Sequence, residues 1–207
     1  MMTTLRHIAM LVATLVVAVA SVSCGNDTDT VLNNQQTAIS RYLTGSHQPK
    51  LIAESELSGS MTENPAFYTQ WGLDIYRYIS TYYDEGRDQM PEIDWNDTIE
   101  ITYSGYIFNN GKPTITDLFA TNDEEMIVQL ENLGLNTSYE WTSEPMTVHI
   151  GSGEMLDSLE KALVGCREGD SVEVYLTYDA AYGKHHIGMV PSKSAQVWYI
   201  DILTVTK

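Results

Sequence analysis

The sequence predicts an α+β fold: a curved antiparallel β-sheet wrapped around one short α-helix, with an N-terminal extension and a helical insert. Two observations predict it. Five segments alternate apolar and polar residues, so each has one face to bury. A later segment, "EMLDSLEKALVG" at 154–165, instead spaces Met155, Leu156, Leu159, Ala162 and Leu163 as a helical stripe. Strands with one-sided patterns form an antiparallel sheet whose inner face needs a cover, and this helix supplies it.

The chain opens on a targeting segment. Arg6 and His7 precede an apolar run, Ile8 to Val22, that is shorter than the ~20 residues a spanning helix needs. Small residues then lead into a cysteine in "VASVSCGNDTDT". The pattern resembles a bacterial lipoprotein signal over residues 1–23, with Ser21 where such signals usually carry Leu. The resemblance implies that Cys24 is the lipidated first residue of the mature chain. The acidic start "GNDTDT" resembles the export tag of Bacteroidetes surface lipoproteins. An ordinary secretory signal with an incidental cysteine is the other reading.

Residues 24–71 form the extension. Val31 to Thr44 is a helix candidate, with Leu32, Ile39, Tyr42 and Leu43 on one side and Thr30 as its N-cap. It is a partner helix, a helix packed on its own domain, or a spacer. "SGSMTENP" reads as a loop.

From Gly72 to Lys207 the β signals accumulate. "LDIYRYI" alternates in part. "DTIEITYSGYI" places Ile99, Ile101, Tyr103, Gly105 and Ile107 on one face. "MTVHI" is a short strand at 146–150. "SVEVYLTY" aligns Val172, Val174 and Leu176, and "QVWYIDILTV" aligns Trp198, Ile200 and Ile202. The core helix is expected to start at Ser152 or Gly153 and to end at Gly165. A second helix, Asp123 to Leu133, is expected within an insert at about 122–144. Glu124 and Glu125 suit the positive end of its dipole, and Gly134 follows it.

These pieces, in this order, resemble an FKBP-type peptidyl-prolyl isomerase. The resemblance is carried by "IGSGEMLDSLEKALVGCREGDSVEVYLTYDAAYG", then "MVP" and "VWYIDIL", and by "ITYSGYIFNNGK" and "GLDIYRYI". It implies an apolar pocket for a prolyl ring. Tyr103, Phe119, Leu156, Tyr182 and Trp198 match the residues that act on the bond, and Met146, Met155, Leu159 and Met189 those that hold the substrate. The Leu156 backbone N–H and the Tyr182 hydroxyl match groups that bond ligand carbonyls. Two positions depart from the family. Ala120 stands where an acid usually points into the pocket, and Leu159 replaces the floor tryptophan. Ile115 with Thr116 is an alternative register for the Phe119 step, and it supplies no acid either.

The resemblance implies proline-containing polypeptides as partners and no cofactor. With the lipid anchor it implies an outer-membrane lipoprotein facing the periplasm or the cell surface, and a monomer. The 28 acidic and 11 basic residues leave a formal charge of −17, which argues against nucleic acid. His185–His186 lacks a third metal ligand at useful spacing. With Cys24 at the anchor, Cys166 is read as a core thiol. No G-x-S-x-G, P-loop or H-E-x-x-H motif supports a hydrolase or nucleotide reading.

Overall fold

The computed structural model describes residues 23–207, with side chains from Asp29 onward. The run from Ile8 to Val22 lies outside the described residues, and so does the side chain of Cys24. The chain divides into two units, Met1–Asn34 and Gln35–Lys207.

Helix α1 spans Ser23–Arg41. It begins before the expected Val31, so Thr30 lies inside it rather than capping it. Polar residues at 25–30 are weak helix formers, and propensity is only a weak prior once a helix is under way. The helix widens into a π turn at Tyr42–Ser46, closed by the His47 N–H on the Tyr42 carbonyl at 2.8 Å.

The strands are β1 (Ile52–Ala53), β2 (Phe67–Trp71), β3 (Ile75–Ile79), β4 (Thr98–Ile107), β5 (Leu118–Thr121), β6 (Met146–His149), β7 (Ser171–Leu176) and β8 (Gln196–Thr206). They form one sheet in the order β1-β2-β3-β7-β8-β4-β5, and β6 also pairs with β4. All pairs are antiparallel except β1 with β2. The five strands expected from alternation are present. β1, β2 and β5 are added, short segments whose period is too brief to read. Gly72, where the β signals begin, sits in the turn between β2 and β3.

Helix α3 (Asp157–Leu163) covers the inner face. Its Leu159, Ala162 and Leu163 pack with Ile75, Ile79, Ile99, Ile101, Val172, Val174, Ile200 and Ile202. Cys166 is buried here as a free thiol, and burial pushes its pKa up to about 11.

The second face is covered too. Tyr76, Tyr78, Tyr175 and Val197 alternate with the inner residues and meet Ile39, Tyr42, Leu43 and Leu51. Of the three roles open to the N-terminal segment, residues from Gln35 onward therefore pack on their own sheet. The physical reason lies in Tyr76, Tyr78 and Tyr175, whose rings on this face need burial themselves.

Helix α2 (Glu124–Leu133) lies in the insert, as its cap predicts. The Asp123 carboxylate accepts from the Glu125 N–H at 2.8 Å and the Met126 N–H at 3.4 Å, and Gly134 closes the other end at φ +63°.

Candidate functional site

The site begins at a divided edge of β4. Along that edge β5 pairs with one half of β4 (Ser104 opposite Thr121) and β6 with the other (Ile101 opposite Met146). The insert leaves and returns through the gap between them. Asn122, 3% exposed, closes the gap. Its Oδ1 accepts the Tyr103 N–H at 2.6 Å, and its Nδ2 donates to the carbonyls of Ile101 and Glu144, both at 3.1 Å. Tyr103 is thus held on β4 by a side chain from outside the strand ladder.

A β-bulge sets the next wall. Gly105 pairs with Ala120 but Tyr106 pairs with Leu118, so Phe119 is the extra residue. The bulge sends both Phe119 and Ala120 to the inner side, while Leu118 joins the second face. Ile115 also packs with the second face, which leaves Phe119–Ala120 as the register at the hollow.

Trp198 lies opposite Gly105 on β8. A Cβ on Gly105 would stand 3.0 Å from the rings of both Phe119 and Trp198. Glycine is therefore required for the close approach of the two rings, which meet edge to face at 5.2 Å and 84°. Trp198 also tilts against Tyr103 at 5.9 Å, and its indole N–H donates to Gln196 Oε1 at 2.9 Å.

The loop before α3 forms the third side. Neither Ser152 nor Gly153 caps the helix, which begins only at Asp157. Instead Glu160, 2% exposed, reaches back. Its carboxylate accepts the N–H groups of Gly151 (2.9 Å), Gly153 (3.1 Å) and Met155 (3.3 Å). A buried acceptor with two oxygens satisfies donors that a hydroxyl at the cap position would serve one at a time. The next N–H, that of Leu156, has no acceptor among the described residues.

The loop from Tyr178 to Lys193 completes the rim. Gly183 turns at φ +62°, and its N–H donates to the Tyr178 carbonyl at 2.8 Å. That turn presents Tyr182, whose hydroxyl has no partner among the described residues. Burial pushes the pKa of the Tyr182 phenol up, with the Tyr103 phenol adding to it, and burial raises Tyr103 too. Both phenols are neutral hydrogen-bond donors at physiological pH.

Together these elements enclose a hollow of about 400 Å3 that opens to solvent. Tyr103, Ala120, Met146, Met155, Leu156, Leu159, Tyr182 and Trp198 line it, with Glu154 the one charged residue. The Glu154 carboxylate accepts the His149 N–H at 2.8 Å, and that bond with the Ser152 hydroxyl holds its pKa below the ordinary carboxylate value. The volume falls in the range of small-ligand sites.

Seven of the nine residues expected at the site line this hollow. Phe119 and Met189 do not. The Phe119 ring stands behind the wall, edge-on to Trp198 and 6.5 Å from Tyr182, because the bulge turns it into the core. Met189 packs against the core from the far part of the loop. Asn122, Glu160, Gly105 and Glu154 were not singled out from the sequence for these roles. Gly105 alone left a local trace, as a glycine on the apolar face of a strand.

A family model described as FKBP-type peptidyl-prolyl cis-trans isomerase matches residues 91–203, more than half of the chain. The chain is also similar to the trigger factors of two Clostridium perfringens strains, ATCC 13124 and 13, at 41% identity over 46 residues. That stretch is 22% of this chain and 11% of each trigger factor, so the match spans about a tenth of those relatives' length.

Proposed function

The chain belongs to the FKBP-type peptidyl-prolyl cis-trans isomerase family, and from that premise we propose that it speeds rotation about Xaa–Pro bonds in exported polypeptides, as a folding assistant anchored in the cell envelope through Cys24. The observation that carries the reading is the open apolar hollow with two donors at its rim, the Leu156 N–H and the Tyr182 hydroxyl, that have no acceptor among the described residues.

An amide resists rotation by ~18–20 kcal/mol because resonance makes its C–N bond partly double. Xaa–Pro bonds consequently take tens to hundreds of seconds to isomerise. No bond to the substrate forms or breaks in the proposed step. The planar amide is more polar than the twisted one, so a dry wall of Tyr103, Met155, Leu159 and Trp198 favours the twisted form by excluding water. The Leu156 N–H and Tyr182 hydroxyl hold the flanking carbonyls, leaving the prolyl nitrogen to pyramidalise. Each tenfold acceleration asks for ~1.4 kcal/mol of this preference.

Location and partners belong to the same proposal. The "VASVSCGNDTDT" stretch supports an outer-membrane lipoprotein facing the periplasm or the cell surface, acting as a monomer on proline-containing chains. Firm attachment follows from several acyl chains, each buried methylene adding ~0.8 kcal/mol.

A second reading has its own observation. Ala120 lines the hollow where the family usually carries an acid, and Leu159 forms its floor. Both favour a module that binds prolyl segments with little catalysis.

Isomerisation of a short Leu-Pro peptide in the presence of the full-length chain decides between the two. Acceleration at micromolar protein supports the isomerase. No acceleration with retained peptide binding, and a large gain on Ala120→Asp, supports the binding module.

A further inference from the structure

We propose that Gln35, on the N-terminal helix, is a positioning residue for the hollow: it holds both ends of the loop that presents Tyr182. The inference deepens the prolyl-site reading by giving α1 a part in it.

The geometry is a double bond from one amide. Gln35 Oε1 accepts the Tyr178 N–H at 2.8 Å, and Gln35 Nε2 donates to the Lys193 carbonyl at 2.9 Å. Tyr178 and Lys193 are the two ends of the loop. From each end one further bond reaches Gly183, the residue after Tyr182. The Gly183 N–H donates to the Tyr178 carbonyl at 2.8 Å, and the Lys193 N–H donates to the Gly183 carbonyl at 2.9 Å. Gln35, Tyr178, Gly183 and Lys193 thus close a ring of hydrogen bonds.

Two further observations show that the ring is under constraint. Lys193 has φ +58°, a left-handed conformation that a non-glycine residue keeps only when its surroundings hold it. The adjacent Gln36 bonds Asp74 at 3.0 Å, and the same Asp74 oxygen accepts the Thr177 hydroxyl at 2.8 Å. Successive residues of α1 therefore fasten the end of β7 and the loop that follows it.

The chemistry selects the residue type. A primary amide donates and accepts at once. Glutamate at 35 would set a carboxylate against the Lys193 carbonyl, and methionine would fill the space with neither bond.

The test uses the full-length chain with Gln35→Met and Gln35→Glu. Backbone hydrogen exchange is followed at Tyr178, Gly183 and Lys193, and at Ile101 and Ile200 in the sheet. Binding of a fluorescent Leu-Pro peptide and, where the chain accelerates isomerisation, KM and kcat are measured alongside. The expected result is faster exchange at the loop amides alone and peptide affinity lower by about two- to tenfold, the worth of one net hydrogen bond. The loss appears in KM more than in kcat.

Unchanged loop exchange overturns the proposal. Exchange that rises equally in β4 and β8 overturns it as well, because Gln35 would then be a general stabiliser. Faster loop exchange with unchanged peptide binding sinks the link to the site. A wild-type chain that binds the peptide without catalysis removes the isomerase reading and leaves this inference to stand or fall on exchange and affinity. A wild-type chain that does neither overturns both.

Discussion

Asn122 holds Tyr103 by both sides of its peptide unit. The Asn122 side chain takes the Tyr103 N–H at 2.6 Å, and the Asn122 N–H donates to the Tyr103 carbonyl at 3.1 Å. A residue at the mouth of the insert thereby completes the sheet edge where β5 has ended and β6 has not begun.

Asn122→Ala leaves the Tyr103 N–H and the Ile101 and Glu144 carbonyls without that side chain. Each buried group so stranded costs ~1–3 kcal/mol. The urea midpoint is expected to fall, and proteolysis within 123–144 to quicken. Asn122→Asp keeps the acceptor but sets a buried carboxylate against the Ile101 and Glu144 carbonyls, so its midpoint is expected to fall at least as far. Unchanged stability in the alanine variant would remove the edge-closing role.

Gly105→Ala forces a methyl group to 3.0 Å from Phe119 and Trp198. Overpacking of this kind costs ~1–3 kcal/mol. A second change, Phe119→Leu, gives the methyl room, so the double variant is expected to recover part of the loss. If it is no more stable than Gly105→Ala alone, the clash lies elsewhere.

Tyr182→Phe removes a hydroxyl that has no partner among the described residues. Thermal stability is expected to stay as it is. Peptide affinity or isomerisation is expected to drop by about two- to tenfold, the loss of one net hydrogen bond to a carbonyl. An equal drop in stability would mean that the hydroxyl is structural.

Glu160→Gln replaces one accepting oxygen by an NH2 group that faces backbone N–H donors. The expected cost is ~1–3 kcal/mol. It is accompanied by faster exchange of the Gly153 and Met155 amides, and by weaker peptide binding because Leu156 shares their loop. Unaltered exchange there would contradict the capping role.

His47 makes docking of the extension pH-dependent. The buried ring faces an acceptor at each nitrogen, the Pro49 carbonyl at Nδ1 and Glu173 at Nε2 (2.9 Å), so the fully bonded form is the imidazolium. Burial by itself lowers the pKa of His47. The bonds to Glu173 and Pro49 and the charge of Glu173 outweigh burial and the opposing Lys112, and hold it above its ordinary 6.5. Tyr42, Tyr78 and Tyr175 supply the rings around it. A raised folded pKa stabilises fully below about pH 6.5, and the contribution is lost as pH rises through the folded value. Urea midpoints are therefore expected to decline from pH 6 towards pH 9, and His47→Phe to flatten that decline. A midpoint that climbs over the same range would reverse the sign and refute the assignment.

Much of the architecture is legible in the order of the amino acids. Ile99, Ile101, Val172, Val174, Ile200 and Ile202 announce strands by their spacing, and Leu159, Ala162 and Leu163 announce the helix that covers them. Asp123, Glu124, Glu125 and Gly134 mark the insert helix within a residue of its ends. The apolar walls of the hollow were legible through the family resemblance, since most of those positions sit on elements with a readable period.

By itself, then, the sequence determined which residues face the core, because local periodicity depends only on neighbours in the chain. The tertiary structure alone decided the second covered face, the bulge that turns Phe119 behind the wall and the residues that hold the site in place. Asn122, Glu160, Gln35 and His47 act through hydrogen bonds to single, precisely placed atoms, and the partners of Gln35 lie 143 and 158 residues away. Such bonds depend on distances set by the whole packed chain. They leave no repeating pattern in the order of the amino acids.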